Sequence, residues 1–140
     1  MKQMTLASPR NKFKAVVKSI SDGCLEYLTL SNRIILFNYR LCPEILVEVC
    51  TLIRLLKALK EPIVRGDVLC LKRRYKKALE RFMVIKVGDA VYDTLSELGH
   101  CTITYCTEDS DQNIIPGEIQ VLGSAPVLQE GDIITILAGE

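Results

Sequence analysis

Two central segments of this chain repeat their apolar residues at helical spacing, while the sequence on either side alternates with a period of two. That pattern predicts a mixed α and β architecture. In residues 43 to 60, Ile45, Val49, Leu52, Ile53, Leu56 and Leu59 share one face of a helix at about 100° per residue. Pro43 suits its first turn because the missing N–H falls among donors that have no helical partner, and Glu44 and Glu48 complement the helix dipole. In residues 68 to 84, Leu71, Tyr75, Ala78 and Phe82 recur at intervals of four, three and four, with Ile85 next, and Asp67 is the expected N-cap. A shorter helix follows with Val91, Leu95 and Leu98 inward and Gly99 as its stop.

Residues 12 to 20 read as a strand with Phe13, Ala15 and Val17 on one face and Lys12, Lys14 and Lys18 on the other. Cys24 to Leu30 and Arg33 to Tyr39 read as two more, completing a three-stranded antiparallel meander. Cys101 to Cys106, Glu118 to Leu122 and Ile133 to Leu137 form the C-terminal strands. The expected fold is therefore one α+β domain over residues 1–140: a β-meander, helices, then C-terminal strands, with two to three helices covering an antiparallel sheet. With 49% apolar residues and no Trp, Leu, Ile and Val must supply most of the core.

Charge is divided between the two halves of the chain. All eighteen Lys and Arg lie at or before Lys86; with seven acids there, the basic half 1–86 carries +11 and the acidic half 87–140 carries −10. On the expected helix 68–84, Lys72, Arg73, Arg74, Lys76, Lys77 and Arg81 form one arc, and Lys12, Lys14 and Lys18 add to it. Such a face can neutralise phosphates without reading base sequence. The expectation is a non-enzymatic, self-associating protein that binds nucleic acid, RNA or DNA, or an anionic membrane surface, through this basic amphipathic helix. The alternative is a protein–protein adaptor or a matrix-type assembly protein, as in small viral accessory proteins, docking through helix 43–60 and the complementary halves. Lys72 to Lys77 also resembles a nuclear-import signal, so the expected location is intracellular, cytoplasmic and nuclear.

No Gly-rich phosphate loop, His-Glu-x-x-His pair or nucleophile elbow is present, and no catalytic residue is assigned. His100, Cys101 and Cys106 have metal-ligand chemistry, but their spacing matches no zinc motif, so no metal or cofactor is expected. Glu108, Asp109 and Asp111 form half a cation loop, without its Gly and terminal Glu. The six cysteines are expected as free thiols of an intracellular protein, and the start, Met1 to Met4, opens no signal peptide. Arg65-Gly66-Asp67 is read as a helix start and not as an adhesion tripeptide.

Overall fold

The computed structural model describes residues 10–109 and 113–139; Met1 to Met4 and Asp111 lie outside them. Among these residues the strands are β1 (Asn11–Ser19), β2 (Arg33–Asn38), β3 (Cys50–Lys57), β4 (Val68–Lys72), β5 (Leu79–Val87), β6 (Cys101–Cys106), β7 (Glu118–Leu122) and β8 (Ile133–Leu137). They close into a barrel in the order β1-β3-β2-β6-β7-β5-β4-β8, with β8 returning to β1. The β2–β3 and β6–β7 pairs are parallel and the others antiparallel. Two helices, α1 (Asp22–Ser31) and α2 (Val91–Leu98), and a 3-10 turn at Glu44–Leu46 complete the described elements. The expected α+β domain, an open antiparallel sheet under helices, is thus corrected to a closed β-barrel.

An eight-stranded barrel is just wide enough for side chains to fill it. Here Phe13, Ala15 and Val17 of β1, Ile34 and Leu36 of β2, Ile53 of β3, and Leu69 and Leu71 of β4 point inward. Phe82 and Val84 of β5, Ile103 and Tyr105 of β6, Ile119 and Val121 of β7, and Ile134 and Ile136 of β8 complete the filling. Every contributor obeys the period of two that strands impose. Phe82 and Tyr105 meet edge to face with centroids 5.1 Å apart.

Neither long central helix forms. In residues 43 to 60 eleven of the eighteen positions are apolar, so a period of two and a period of 3.6 can both be drawn through the segment. Ile45 stands 89% exposed within the 3-10 turn, whereas Thr51 and Ile53 are buried and Arg54 faces out. Barrel closure decides between the two: as β3, this segment supplies hydrogen-bond partners to β1 on one side and β2 on the other. Residues 68 to 84 instead form the β4–β5 hairpin, in register from Val68 opposite Met83 to Lys72 opposite Leu79. Its Lys and Arg residues favour helix intrinsically, yet they cluster at the hairpin turn, where no apolar face is needed.

The run Cys24 to Leu30, expected as a strand, lies in α1, where Cys24 and Leu28 are buried one helical turn apart and Asn32 ends the helix at φ 56°. β1, β2 and β6 to β8 fall where the alternation placed them. So does α2, which stops at Gly99 in the left-handed region, φ 62°.

Three turns share one construction that the sequence displays as Gly followed by an acid: Arg65-Gly66-Asp67, Pro116-Gly117-Glu118 and Glu130-Gly131-Asp132. In each, the acid's backbone N–H donates to the carbonyl three residues earlier, at 3.0 to 3.1 Å. Its side-chain carboxylate in turn accepts the N–H of that same earlier residue: Val64 at 2.9 Å, Ile115 at 3.2 Å and Gln129 at 2.8 Å. All three carboxylates are buried. Gly66 and Gly131 have φ 96° and 93°, the conformation a type II turn demands at its third position. Asp67 is therefore a turn staple before β4, not the cap of a helix.

Candidate functional site on the outer face of β2

Ile34 and Leu36 point into the barrel, so Phe37 turns outward, where the His100 ring covers it. The two rings stack with centroids 4.4 Å apart and planes 26° from parallel. The corner between α2 and β6 brings His100 there. A Cβ at Gly99 would come within 3.0 Å of Asn38 Cβ, so the left-handed turn rests directly on β2. His100 N–H donates to Thr94 O at 3.2 Å. The ring's Nδ1 lies 3.0 Å from Leu36 O. A carbonyl oxygen can only accept, so Nδ1 carries the proton and the neutral ring keeps its lone pair on Nε2.

Just past β2, Tyr39 gathers cations. Its backbone N–H donates to Ile53 O at 2.9 Å, extending the β2–β3 pairing by one residue. Its phenol oxygen accepts from Arg40 Nε at 2.9 Å; Lys18 Nζ and Arg40 Cζ lie 5.1 and 5.4 Å from its ring centroid. The Arg40 hydrogen bond outweighs burial and, with the charges of Arg40, Lys18 and Arg54, holds the phenol below its ordinary range. Phe37 and Tyr39 are two residues apart, about 7 Å along an extended chain. An imidazole with a lone pair on Nε2 covers Phe37, and the cations that act on Tyr39 gather at the end of the same strand; each can attract an anionic group.

The nine cations singled out by sequence do not form one helical arc. Lys12 is buried in an ion pair with Asp67 at 2.7 Å and donates to Pro62 O at 2.8 Å. Lys14 is half-buried on β1, while Lys18 is exposed and joins the Tyr39 group. Lys72 ends β4, and Arg81 projects from β5. Arg73 is tied to Glu80 at 2.6 Å, Val127 O at 2.5 Å and Asp132 at 3.1 Å. Arg74, Lys76 and Lys77 are exposed in the turn, with the Arg74 guanidinium 5.0 Å from the Tyr75 ring centroid. Among the described residues, the pairs Arg33–Glu118, Arg65–Asp109 and Arg73–Asp132 cross the boundary between the basic and acidic halves. Sequence reasoning missed Tyr39, Arg40 and Arg54 and weighed His100 only with its cysteine neighbours. The usable signal was Phe37-x-Tyr39-Arg40, outward aromatics at the end of a strand.

Burial pushes the Cys50 and Cys101 thiols up to about 12, with the neighbouring Cys42 and Cys24 adding to the effect at Cys50. It also raises those of Cys42, Cys70 and Cys106. None is poised as a thiolate near neutrality. Iodoacetamide at mildly alkaline pH should therefore label half-buried Cys42 and Cys106 first and the four buried thiols only after unfolding. Peptide mapping of a time course checks this; early labelling of Cys101 would contradict it.

The family model described as the PTS system glucitol/sorbitol-specific IIA component matches residues 12–135. The crystal structure of a PTS system IIA component from Enterococcus faecalis V583 shares the barrel at a TM-score of 0.69. Identity is 19%, over 89% of this chain and 99% of that one, a likeness that establishes the fold. No curated protein matches the chain at a significant level. The family match overturns the expectation of a nucleic-acid-binding or viral matrix-type protein, removes nucleic acid as the expected partner and gives nuclear import no support. The basic helix on which that expectation rested is a hairpin, and the adaptor helix 43–60 is replaced by β3 and the loop before it. No helix among the described residues is long and apolar enough to cross a membrane. The chain belongs to the glucitol/sorbitol-specific IIA component family of the sugar phosphotransferase system (PTS).

Proposed function

We propose that the protein works in the cytoplasm as a IIA-type component of a sugar phosphotransferase system. It meets other proteins of that system through the face bearing His100 and the Lys18, Arg40 and Arg54 group. PTS IIA components are phosphotransfer proteins, and the family description makes a hexitol the proposed sugar class. Any phosphoryl group this chain carries is assigned to Nε2 of His100. The observation that carries this assignment is the 3.0 Å approach of Nδ1 to Leu36 O, which fixes the tautomer of the chain's one imidazole. A phosphoryl group on a ring nitrogen stays reactive toward the next acceptor, as relay requires, whereas a serine or threonine ester would not. The cations around Tyr39 supply attraction for an incoming anionic group and for acidic partner surfaces.

The test uses a phosphorylated HPr-type donor with labelled phosphate. An acid-labile, alkali-stable label should appear on the protein and vanish in His100→Gln, with the variant's fold unchanged by circular dichroism. Label that persists in His100→Gln would place the acceptor elsewhere. Absence of label on the unaltered protein would leave a docking component that does not carry phosphate. Arg54→Ser and Lys18→Ser should slow labelling at low ionic strength, and added salt should shrink the difference.

A further inference from the structure

Phe37 points out of the barrel, yet it is only 5% exposed, because the His100 ring lies over it at 4.4 Å between centroids. Aromatic pairs also meet edge to face, as Phe82 and Tyr105 do at 81°, but this pair is face to face, at 26°. The face of a phenyl ring is its electron-rich side, so a ring stacked on it is held more strongly when that ring is positive. Three further contacts place the imidazole. Nδ1–H donates to Leu36 O at 3.0 Å, His100 N–H donates to Thr94 O at 3.2 Å, and Gly99 seats the turn on Asn38 of β2. One face and the Nδ1 edge of the ring are thereby engaged by β2, and the lone pair sits on Nε2.

We propose that Phe37 is a positioning residue for phosphoryl transfer, which holds the His100 ring and stabilises the positive charge that the ring acquires when Nε2 takes the phosphoryl group. The inference rests on the reading of His100 as the carrier. The Nε2 lone pair forms the N–P bond while the bond from phosphorus to the donor breaks, its electron pair leaving with the donor. The Nδ1 proton stays in place, so a neutral imidazole becomes a phosphoimidazolium whose ring bears one positive charge. Leu36 O then accepts from a charged N–H, a stronger bond than the one it makes to the neutral ring. Phe37 meanwhile presents its face to a cation at 4.4 Å, inside the range of about 6 Å over which cation–π attraction acts. Both gains belong to the charged ring, so they favour the transition state and the phosphorylated form over the starting one.

The experiment places fluorinated phenylalanines with increasing numbers of ring fluorines at position 37 of the full-length chain. Fluorine drains the ring's face of electron density and leaves its shape nearly unchanged, so packing alone predicts no trend. The equilibrium ratio of phosphorylated to free protein is measured against a phosphorylated HPr-type donor and, separately, against phosphoramidate, a small donor that needs no protein docking. The ratio should fall stepwise with fluorine content. Phe37→Leu, which keeps apolar bulk without a π face, should lower it about five- to tenfold. Phe37→Tyr should keep it near that of the unaltered protein, and circular dichroism checks that every variant folds. A ratio that stays flat across the fluorinated series, even if Phe37→Leu lowers it, would overturn the proposal and leave the carrier reading standing. Label on His100 from phosphoramidate alone, with the same trend, would sink the relay reading and support the role of Phe37. Absence of label on His100 from either donor would overturn both.

Discussion

Asp132→Ala is expected to lower the unfolding free energy by about 3 to 5 kcal/mol, the cost of removing one partner from a buried charged pair. Asp132 is fully buried, and its carboxylate is shared among three donors. Oδ1 accepts from Arg74 N–H at 3.0 Å; Oδ2 accepts from Gln129 N–H at 2.8 Å and Arg73 Nη1 at 3.1 Å. One side chain therefore fixes both the turn into β8 and the first residues after β4. Alanine leaves two backbone donors without their acceptor and a guanidinium, 16% exposed, without its buried partner. Asp132→Asn keeps the shape and one acceptor oxygen and should cost about half as much. Glu80→Ala is the control: Glu80 binds the same guanidinium at 2.6 Å but is 39% exposed, so its loss should cost about 1 kcal/mol or less. Urea denaturation at an unchanged m-value measures all three. If Glu80→Ala proved the costlier change, Asp132 would not be the organising residue.

The same residue shows what the sequence displayed and what it concealed. Glu130-Gly131-Asp132 was legible as a turn because Gly followed by an acid between two apolar runs has turn chemistry. The recurrence of that construction at Asp67 and Glu118 was equally visible, yet at Asp67 an N-cap reading is locally just as good, since a carboxylate accepting a nearby N–H serves both structures. The strands with strict alternation, β1, β6 and β8, could be placed because one face of each is apolar and the other mixed. β3 could not, because Leu52, Leu55 and Leu56 put apolar groups on both faces and erase the period. The barrel depends on pairing β2 with β3 in parallel and β1 with β8 across the whole chain, and such long-range closure has no local signature. At the candidate site, the tautomer of His100 rests on Leu36 O, sixty-four residues away, so only the fold reveals what its ring can do. The charge split was correctly counted but described the chain in linear order; the barrel sets β4 against β8 and β5 against β7, which folds part of each half onto the other.

Lys12 carries the second large effect, and it reverses the role expected for that residue. On β1 it falls on the polar face and was grouped with Lys14 and Lys18, yet its ammonium is buried against Asp67 at 2.7 Å and Pro62 O at 2.8 Å. Asp67 in turn accepts from Val64 N–H at 2.9 Å and Gly139 N–H at 3.0 Å, so the pair joins β1, the turn before β4 and the chain after β8. Asp67→Ala should cost about 3 to 5 kcal/mol, because it strands a desolvated ammonium as well as two backbone donors. Lys12→Met should cost less, about 2 to 3 kcal/mol, because two N–H groups still satisfy the carboxylate it leaves behind. The double variant should fall short of the sum by about 1 to 3 kcal/mol, since the second substitution removes a charge that the first had already isolated. Being buried, this coupling should change little between low and high salt, unlike that of the exposed Arg10–Glu61 pair close by. Additivity of the two single changes within about 0.5 kcal/mol would show instead that the ammonium and carboxylate act separately, and that the backbone donors alone hold Asp67 in place.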